Sequence, residues 1–254
     1  MWMSGLRKRG SNLVCGAMSE DTKRCLVLGA NGGIGSEVCR MLEADAWTVV
    51  RAGRSASGSV DVEIDAEHPE TLDETLGKTL SEQAFTGVVN CIGSLWLKPA
   101  HMTSLEVWEH TMKLHLTSSF LLLKNYAKNL PKEGGSLVLV SSAAGRIGLA
   151  NHEAIAAAKA GIIGMVMAAA ATYGSRGLRV NCVAPGLTDT PLTAGLTANE
   201  ASLKVSEKMH ALGRIGKPED VASAICWLLD PRNRWVTGQT LGVDGGLGTV
   251  RARG

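Results

Sequence analysis

The sequence predicts an α/β protein with a doubly wound sheet of about seven parallel strands, covered by helices on both faces in three layers. From Arg24 onward, short β-branched or leucine-rich runs alternate with longer helical patterns, as in successive βαβ units. Most residues of the short runs are apolar, which is typical of parallel strands buried on both faces. With 254 residues, 45% of them hydrophobic, the chain can bury one large core, so we expect a single domain.

Each strand is predicted from a short apolar run bounded by turn residues. The strand candidates are Cys25–Leu28, Thr48–Ala52, Ser59–Ile64, Gly87–Cys91, Ser136–Ser141, Arg179–Ala184 and Thr240–Val243. Helices are predicted at about Ile34–Glu43, Pro69–Ser81, Ser104–Leu130, Glu153–Tyr173 and Pro218–Leu229. The stretch between Leu187 and Gly216 is predicted to be an irregular connection, which we interpret as a substrate lid.

The composition favours a small molecule as the partner of this protein. A formal net charge of +2 gives no electrostatic reason to expect nucleic acid or an anionic membrane. The longest apolar stretch, residues 161–171, falls short of the roughly 20 residues of a membrane span. Six cysteines occur without a CxxC pair, which indicates reduced thiols rather than a disulfide framework or a metal site. We therefore expect a cytoplasmic protein that binds no metal.

Residues 1–20 differ in composition from the rest of the chain. Arg7, Lys8 and Arg9 are clustered, no acidic residue precedes Glu20, and no apolar periodicity is present. We predict a disordered extension there, followed by the folded domain over residues 21–254. An organelle transit peptide is the alternative, and it would change the location of the protein.

A glycine-rich turn follows the first strand candidate and opens the first helix. It reads Gly29-Ala30-Asn31-Gly32-Gly33-Ile34-Gly35. Such a turn lets the backbone approach a pyrophosphate, whose charge then meets the positive end of the helix dipole. The candidate cofactor residues in this Rossmann-type turn are Gly29, Asn31, Gly33, Ile34 and Gly35.

Further motifs follow this turn in a fixed order, and together they carry a resemblance. Val88-Val89-Asn90-Cys91-Ile92-Gly93 is similar to the pattern LVNNAG, and Pro185-Gly186 with Thr190 is similar to PGxxxT. With the GxxxGxG spacing of the turn, the chain resembles the short-chain dehydrogenase/reductase family over about residues 23 to 247. The resemblance implies that Asp65 contacts the adenine and that Pro185, Gly186 and Thr190 hold the nicotinamide carboxamide, and it adds Asn90 and Gly93 to the cofactor-binding residues.

The end of the second strand candidate bears on the choice of cofactor. In dinucleotide-binding folds an acidic residue there binds the ribose 2′-hydroxyl of NAD, whereas an arginine suits the 2′-phosphate of NADP. This chain has no carboxylate there and offers Arg54 and Ser55 instead. We therefore favour NADP, with NAD as the alternative.

The catalytic positions depart from the family pattern. The resemblance assigns Ser142 to the substrate oxygen and Lys159 to the cofactor ribose, but the YxxxK tyrosine falls on Ile155. Neither Tyr126 nor Tyr173 stands four or seven residues before a lysine. The tyrosine is therefore absent rather than displaced, and isoleucine cannot exchange a proton.

Two histidines are candidates for the missing proton chemistry. His115 occupies the position of the family's helix asparagine, and its imidazole could exchange a proton near neutral pH. The alternative is that His115 is a hydrogen-bonded residue of the core. His152 stands seven residues before Lys159 and would share its helix face if the helix extended that far; otherwise it opens the helix.

Two functions remain open from these residues. The first is an NAD(P)-dependent oxidoreductase that transfers hydride to or from a carbonyl or conjugated enoyl substrate, with a proton donor other than tyrosine. The second is a nucleotide-binding protein without turnover, which has a sensing or structural role. The resemblance also implies a homotetramer or homodimer, with an interface formed by the predicted helices Ser104–Leu130 and Glu153–Tyr173.

Overall fold

The computed structural model describes residues 23–54 and 60–250. Three sequence predictions lie outside the described residues. They are the extension over residues 1–20, the first residue of the third strand candidate, and Ser55 as a cofactor ligand.

Within the described residues, seven parallel strands form one sheet in the order β3-β2-β1-β4-β5-β6-β7, which confirms the predicted fold class. The strands are β1 (Arg24–Leu28), β2 (Thr48–Gly53), β3 (Val62–Glu63), β4 (Gly87–Asn90), β5 (Gly135–Val140), β6 (Leu178–Pro185) and β7 (Thr240–Val243). The strand order reverses between β1 and β4, so a crevice opens at their carboxyl ends, where doubly wound sheets bind ligands.

Helices cover both faces of the sheet, as the apolar strands require. They are α1 (Gly33–Ala44), α2 (Pro69–Glu82), α3 (Leu105–Met112), α4 (Ser118–Lys128), α5 (Glu153–Tyr173), α6 (Ala194–Thr197), α7 (Glu200–Met209) and α8 (Pro218–Leu229). One apolar core lies between the sheet and α2, α4 and α5, and the other lies between the sheet and α1 and α8. Alternate residues of β1 enter opposite cores, with Leu26 on the first side and Val27 on the second.

Several predicted elements differ from the structure. Among the described residues, the third strand, predicted over Ser59–Ile64, comprises only Val62–Glu63. The single helix predicted over Ser104–Leu130 is divided by a π-helical segment, Lys113–Thr117, which separates α3 from α4. The Ser118 and Ser119 hydroxyls donate hydrogen bonds to carbonyls four residues earlier, at distances of 2.6 and 2.7 Å. Such side-chain bonds to the backbone accompany local distortions of a helix, and π segments occur frequently at functional sites.

The connection predicted to be irregular contains two helices, so that prediction was wrong in part. In this connection, α7 begins where the Asn199 side chain accepts a hydrogen bond from the Ser202 amide at 2.9 Å. Glu200 in the first turn and Lys208 in the last turn have charges that suit the helix dipole.

The helix α5 is longer than the apolar stretch of residues 161–171 that the sequence analysis compared with a membrane span. Together with the turn that follows it, the apolar helix spans 24 residues, Glu153–Arg176, and by length and composition it could cross a membrane. The core helix of an α/β domain meets the same criterion. In this fold seven residues of α5 are buried, and the helix packs against β6 and the turn after β5.

Candidate active site

The glycine-rich turn is packed so closely that larger residues do not fit. Gly29 has a φ of +72°, in the left-handed region that favours glycine. A Cβ on Gly35 would overlap the carbonyl oxygen of Gly29, and a Cβ on Gly33 would lie 2.9 Å from Cβ of Thr190. The turn therefore brings Thr190, from the loop after β6, directly against the start of α1.

The N-terminus of α1 fits a pyrophosphate. Its first turn has no capping side chain and no acidic residue, so no side chain of that turn competes with a bound anion. Ile34 lies in this first turn, and the Asn31 amide lies 4.0 Å from the position that a Cβ on Gly53 would take at the end of β2. The glycine cradle and the open helix end are the observations that fit a nicotinamide dinucleotide.

Asp65 and Arg54 lie on the β2–β3 side of this crevice. Asp65 follows β3, and its carboxylate accepts a hydrogen bond from the Glu67 amide at 3.0 Å. Arg54 directly follows β2. The structure therefore places the predicted adenine and 2′-phosphate residues at neighbouring strand ends.

Asn90 connects the end of β4 to the first two residues of α4, which directly follow the π-helical segment. Its amide nitrogen donates to the Ser118 and Ser119 hydroxyls at 2.9 and 3.1 Å, and its oxygen accepts from the Ile92 amide at 3.0 Å. These bonds hold the π-helical segment close to the loop after β4. A Cβ on Gly93 in that loop would lie 3.3 Å from Cε1 of His115.

Pro185 ends β6, and Gly186 after it contacts a histidine that the sequence analysis missed. A Cβ on Gly186 would lie 2.5 Å from Nε2 of His210. His210 is buried, its Nε2 accepts from the Leu187 amide at 3.2 Å, and its Nδ1 lies 2.6 Å from the Ser206 carbonyl oxygen. His210 thus joins α7 to the loop that is expected to hold the nicotinamide. The sequence contains no motif that would have singled it out.

Ser142 and Lys159 are brought together by a close contact between a turn and a helix. The Ser142 hydroxyl accepts from the Ala144 amide at 3.1 Å, which leaves its own proton available for a substrate. A Cβ on Gly145 would lie 2.9 Å from the backbone of Lys159, so only glycine lets the turn rest on α5. The two residues expected to act together therefore occupy one end of the sheet.

Lys159 is a buried cation. It is 7% exposed, and its Nζ donates to the Val140 carbonyl at 2.6 Å. Burial lowers the pKa of Lys159 to about 8, because the charged form loses its hydration. The ammonium group can therefore release a proton near neutral pH more readily than an exposed lysine.

His115 lies in the π-helical segment and is only 2% exposed. The Ser94 amide donates to Nε2 of His115 at 3.2 Å, so the neutral ring has its proton on Nδ1. Among the described residues, Nδ1 has no hydrogen-bond partner. Burial and then the positive charge of Lys159 lower the pKa of His115 to about 2. The environment keeps this histidine neutral, which favours a hydrogen-bond donor over the titrating imidazole expected from the sequence. Ser94 was not among the predicted site residues.

His152 does not share the helix face of Lys159. The helix α5 begins at Glu153, and His152 precedes it with its Nδ1 2.7 Å from the Ala150 carbonyl oxygen. The predicted extension of the helix to His152, which a shared face with Lys159 requires, is therefore absent. Ile155 is 5% exposed on the first turn of α5, one turn before Lys159.

The five described cysteines are free thiols, as the sequence predicts. Cys91 and Cys182 lie close enough to Lys159 to influence its charge. Burial raises the pKa of both thiols, so they remain protonated at neutral pH. Within the described part of the chain, no group of three His, Cys, Asp or Glu side chains could hold a metal ion.

Comparison with known proteins agrees with this architecture. Residues 29–248 match a family model described as enoyl-(acyl carrier protein) reductase. A cis-4-hydroxycyclohexanecarboxylate dehydrogenase from Sinomonas cyclohexanicum is 34% identical over 242 residues, which cover 89% of this chain and 96% of that protein. A 3-oxoacyl-(acyl-carrier-protein) reductase from Vibrio cholerae is 31% identical and covers 91% of this chain and 99% of its own length.

A solved structure from Beutenbergia cavernae is similar as a whole. It is named for NAD(P)-dependent gluconate 5-dehydrogenase activity and holds NADP at low occupancy. The TM-score is 0.82 at 28% identity, over 89% of this chain and 96% of that one. These relatives are oxidoreductases, and the glycine cradle described above fits the same kind of cofactor. The chain therefore belongs to the short-chain dehydrogenase/reductase family, as an oxidoreductase that transfers hydride with a nicotinamide dinucleotide.

Proposed function

We propose that this enzyme uses NADP to transfer hydride to or from a carbonyl or a conjugated enoyl group, without a tyrosine as proton donor. The observation that carries the proposal is the cluster formed by buried His115, buried Lys159, whose charge acts on His115, and half-buried Ser142, whose turn rests on the backbone of Lys159. When bound, the cofactor supplies or accepts hydride at C4 of the nicotinamide. The residues of the chain must then hold the substrate oxygen and handle the proton.

In this proposal each side chain of the cluster has a separate task. The Ser142 hydroxyl and the unpartnered Nδ1–H of His115 are hydrogen-bond donors for the substrate oxygen. Lys159 binds the ribose hydroxyls, because two of its three ammonium protons remain after the bond to Val140. The sequence analysis gave His115 or His152 the proton role, and the neutral state of His115 and the place of His152 before α5 both argue against it.

The substrate is expected to have an apolar part. The lid residues Leu192 and Met209 are 52% and 44% exposed and would cover such a group. Two of the relatives described above are named for cis-4-hydroxycyclohexanecarboxylate and for 3-oxoacyl groups on acyl carrier protein. Both classes combine an apolar body with a carbonyl or hydroxyl group, so both belong in a first substrate panel.

The activity can be tested by following NADPH oxidation with 4-oxocyclohexanecarboxylate, acetoacetyl-CoA, crotonyl-CoA and 2,4-hexadienoyl-CoA. We expect at least one of them to be reduced. We also expect Ser142→Ala to lower kcat for that substrate by about 100-fold, within the range of general acid–base and hydrogen-bonding groups in active sites. If every substrate in the panel leaves NADPH unchanged while calorimetry still shows NADPH binding, the alternative is favoured. That alternative, motivated by Ile155, is a nucleotide-binding protein with a sensing or structural role.

The preference for NADP rests on the end of β2, where Arg54 replaces the usual carboxylate. We expect Arg54→Glu to weaken NADPH binding by about 10-fold or more, because a carboxylate repels the 2′-phosphate. Binding of NADH, which lacks this phosphate, should change little or improve. Calorimetry with both nucleotides measures the two affinities, and equal effects on both would argue against a 2′-phosphate site at Arg54.

The assembly and the location of the protein are also proposals. We propose a homotetramer or homodimer in the cytoplasm, with α3, α4 and α5 at an interface. The exposed apolar side chains Trp108, Phe120 and Met167 on these helices support this arrangement. Sedimentation equilibrium measures the oligomeric state.

A further inference from the structure

We propose that Lys159 itself is the proton donor in this enzyme, in addition to its contact with the cofactor ribose. This inference rests on the proposed function and assigns the step that the missing tyrosine leaves open. In the family pattern a phenol stands between the lysine and the substrate. Here Ile155 takes that position, and isoleucine is smaller than tyrosine and has no proton to give. Ile155 therefore supplies no competing donor, and Lys159 is the acid one turn away on the same helix.

The other candidates in the site are held in states that do not favour proton donation. Nε2 of His115 accepts from the Ser94 amide, and burial keeps the ring neutral. His152 precedes α5, and its Nδ1 is hydrogen-bonded to a loop carbonyl. A neutral histidine can polarise an oxygen through Nδ1–H, but it does not replace an acid that gives up its proton and recovers it from solvent.

The surroundings of Lys159 make it an acid. Three titratable groups face it from the neighbouring elements: Cys91 after β4, Cys182 in β6 and His115 in the π-helical segment. All three are neutral near pH 7, because burial raises the pKa of the thiols and lowers that of the imidazole. Within the part of the chain that the structure describes, no carboxylate is among the groups that influence its charge. The ammonium therefore loses hydration without gaining a counterion, which favours release of a proton.

The geometry leaves protons free for this purpose. Among the described residues, Nζ donates to one acceptor, the Val140 carbonyl at 2.6 Å. Two of its three N–H groups remain, one shared by the ribose hydroxyls and one for proton transfer. Gly145 seats the Ser142 turn against the backbone of Lys159, which brings the hydroxyl that holds the substrate oxygen to the same helix turn.

The step balances for a carbonyl substrate. The carbonyl carbon accepts hydride from the reduced nicotinamide, and the C=O π electrons move onto oxygen. The oxygen forms an O–H bond with a proton from Nζ, directly or through one water, as an N–H bond of Lys159 breaks. The carbonyl is reduced to an alcohol and the nicotinamide is oxidised, while the neutral amine regains a proton from solvent.

The first test measures Lys159 without turnover. Reductive ¹³C-methylation of the lysines followed by NMR titration reports the pKa of each dimethylamine, and the missing signal in Lys159→Arg assigns the resonance. We expect Lys159 to titrate at least one pH unit below the exposed lysines, both with and without NADPH. Titration together with the exposed lysines would overturn the assignment, whatever the activity of the protein.

The second test is the pH dependence of kcat with a panel substrate that the wild-type enzyme reduces. The lysine must be protonated to donate, so we expect kcat to be level at low pH and to fall tenfold per pH unit above the pKa of Lys159. Lys159→Arg keeps a cation and its hydrogen bonds but cannot release a proton. It should lower kcat by about 100-fold or more, abolish the alkaline decline and change the Kd for NADPH less than about threefold. If Lys159→Arg weakens NADPH binding and lowers kcat by the same factor, and kcat still falls at alkaline pH, Lys159 has only a positioning role.

The third test restores the phenol. Ile155→Tyr places a tyrosine four residues before Lys159, and Ile155→Phe is the control of equal bulk without the hydroxyl. We expect Ile155→Tyr to be about 10-fold faster than Ile155→Phe above the pKa of Lys159, because a phenol titrates near pH 10. Equal rates and equal pH profiles for the two variants would contradict the inference. If the enzyme reduces a panel substrate but none of these three results is obtained, only the assignment of Lys159 as proton donor is refuted. If no panel substrate is reduced, the proposed function itself is refuted.

Discussion

Replacement of Gly35 by alanine is expected to abolish binding of the dinucleotide. The new Cβ would overlap the Gly29 carbonyl oxygen and lie 3.1 Å from Cα of Ala30. Both neighbours are backbone atoms, so the turn itself must open, and the amides at the start of α1 would leave the phosphates. We expect the Kd for NADPH to rise by at least about 100-fold and the free energy of unfolding to fall by about 3 kcal/mol. Calorimetry and denaturant unfolding measure the two quantities.

Gly164→Ala is the matched control for this change. Gly164 lies within α5, and a Cβ there meets no atom within 4 Å. Alanine is the better helix former, so we expect a gain in stability of about 1 kcal/mol and an unchanged Kd for NADPH. If Gly35→Ala bound NADPH as tightly as the wild type, the turn before α1 would not be the pyrophosphate site.

Replacement of Lys159 by methionine is expected to stabilise the protein at neutral pH while it removes turnover. Burial lowers the pKa of Lys159 from 10.5 to about 8, which corresponds to a cost of about 3 kcal/mol for keeping the ammonium in the fold. Methionine has a similar length and no charge to desolvate. We therefore expect the free energy of unfolding to increase by up to about 3 kcal/mol at pH 7, less the lost bond to Val140.

The pH dependence of this gain has a definite sign. Above pH 10.5 the lysine is neutral in both the folded and the unfolded states, so its burial does not lower the free energy of unfolding. Between pH 10.5 and about 8 the unfolded chain binds the proton but the folded chain does not. The free energy of unfolding therefore falls as the pH decreases through this range. The advantage of Lys159→Met should therefore be complete below pH 8 and vanish towards pH 10.5. Lys132→Met, at an exposed position, is the control and should change stability by less than about 0.5 kcal/mol. A Lys159→Met protein that is less stable than wild type at pH 7 would show that the ammonium contributes more through its contacts than burial costs.

Elements with a local cause were predictable from the sequence. The apolar runs placed all seven strands, because parallel strands buried on both faces need such runs. The π-helical segment was not predictable, since it accompanies bonds between Asn90 and two serines nearly thirty residues away. The helix α7 was not predicted, although Asn199 is a common N-cap residue and Glu200 is an acidic residue in the first turn.

The site shows the same division between local and distant causes. The glycine turn was found from its place between the first strand and the first helix, and Ser142 and Lys159 were found from the resemblance to the family. The neutral state of His115 could not be predicted from the sequence, because it depends on burial and on the charge of Lys159, which only the folded chain brings near. His210 escaped notice for a similar reason, since its partners are backbone groups of Leu187 and Ser206.

The two hydrogen bonds of His210 have a mechanical consequence. One ring nitrogen is fixed to the last turns of α7 and the other to the amide directly after Gly186. Any swing of α7 that preserves these bonds must drag the Leu187 backbone with it. If α7 covers the substrate and the loop after β6 holds the nicotinamide, as proposed above, entry of the substrate and release of the nicotinamide would be one coupled movement.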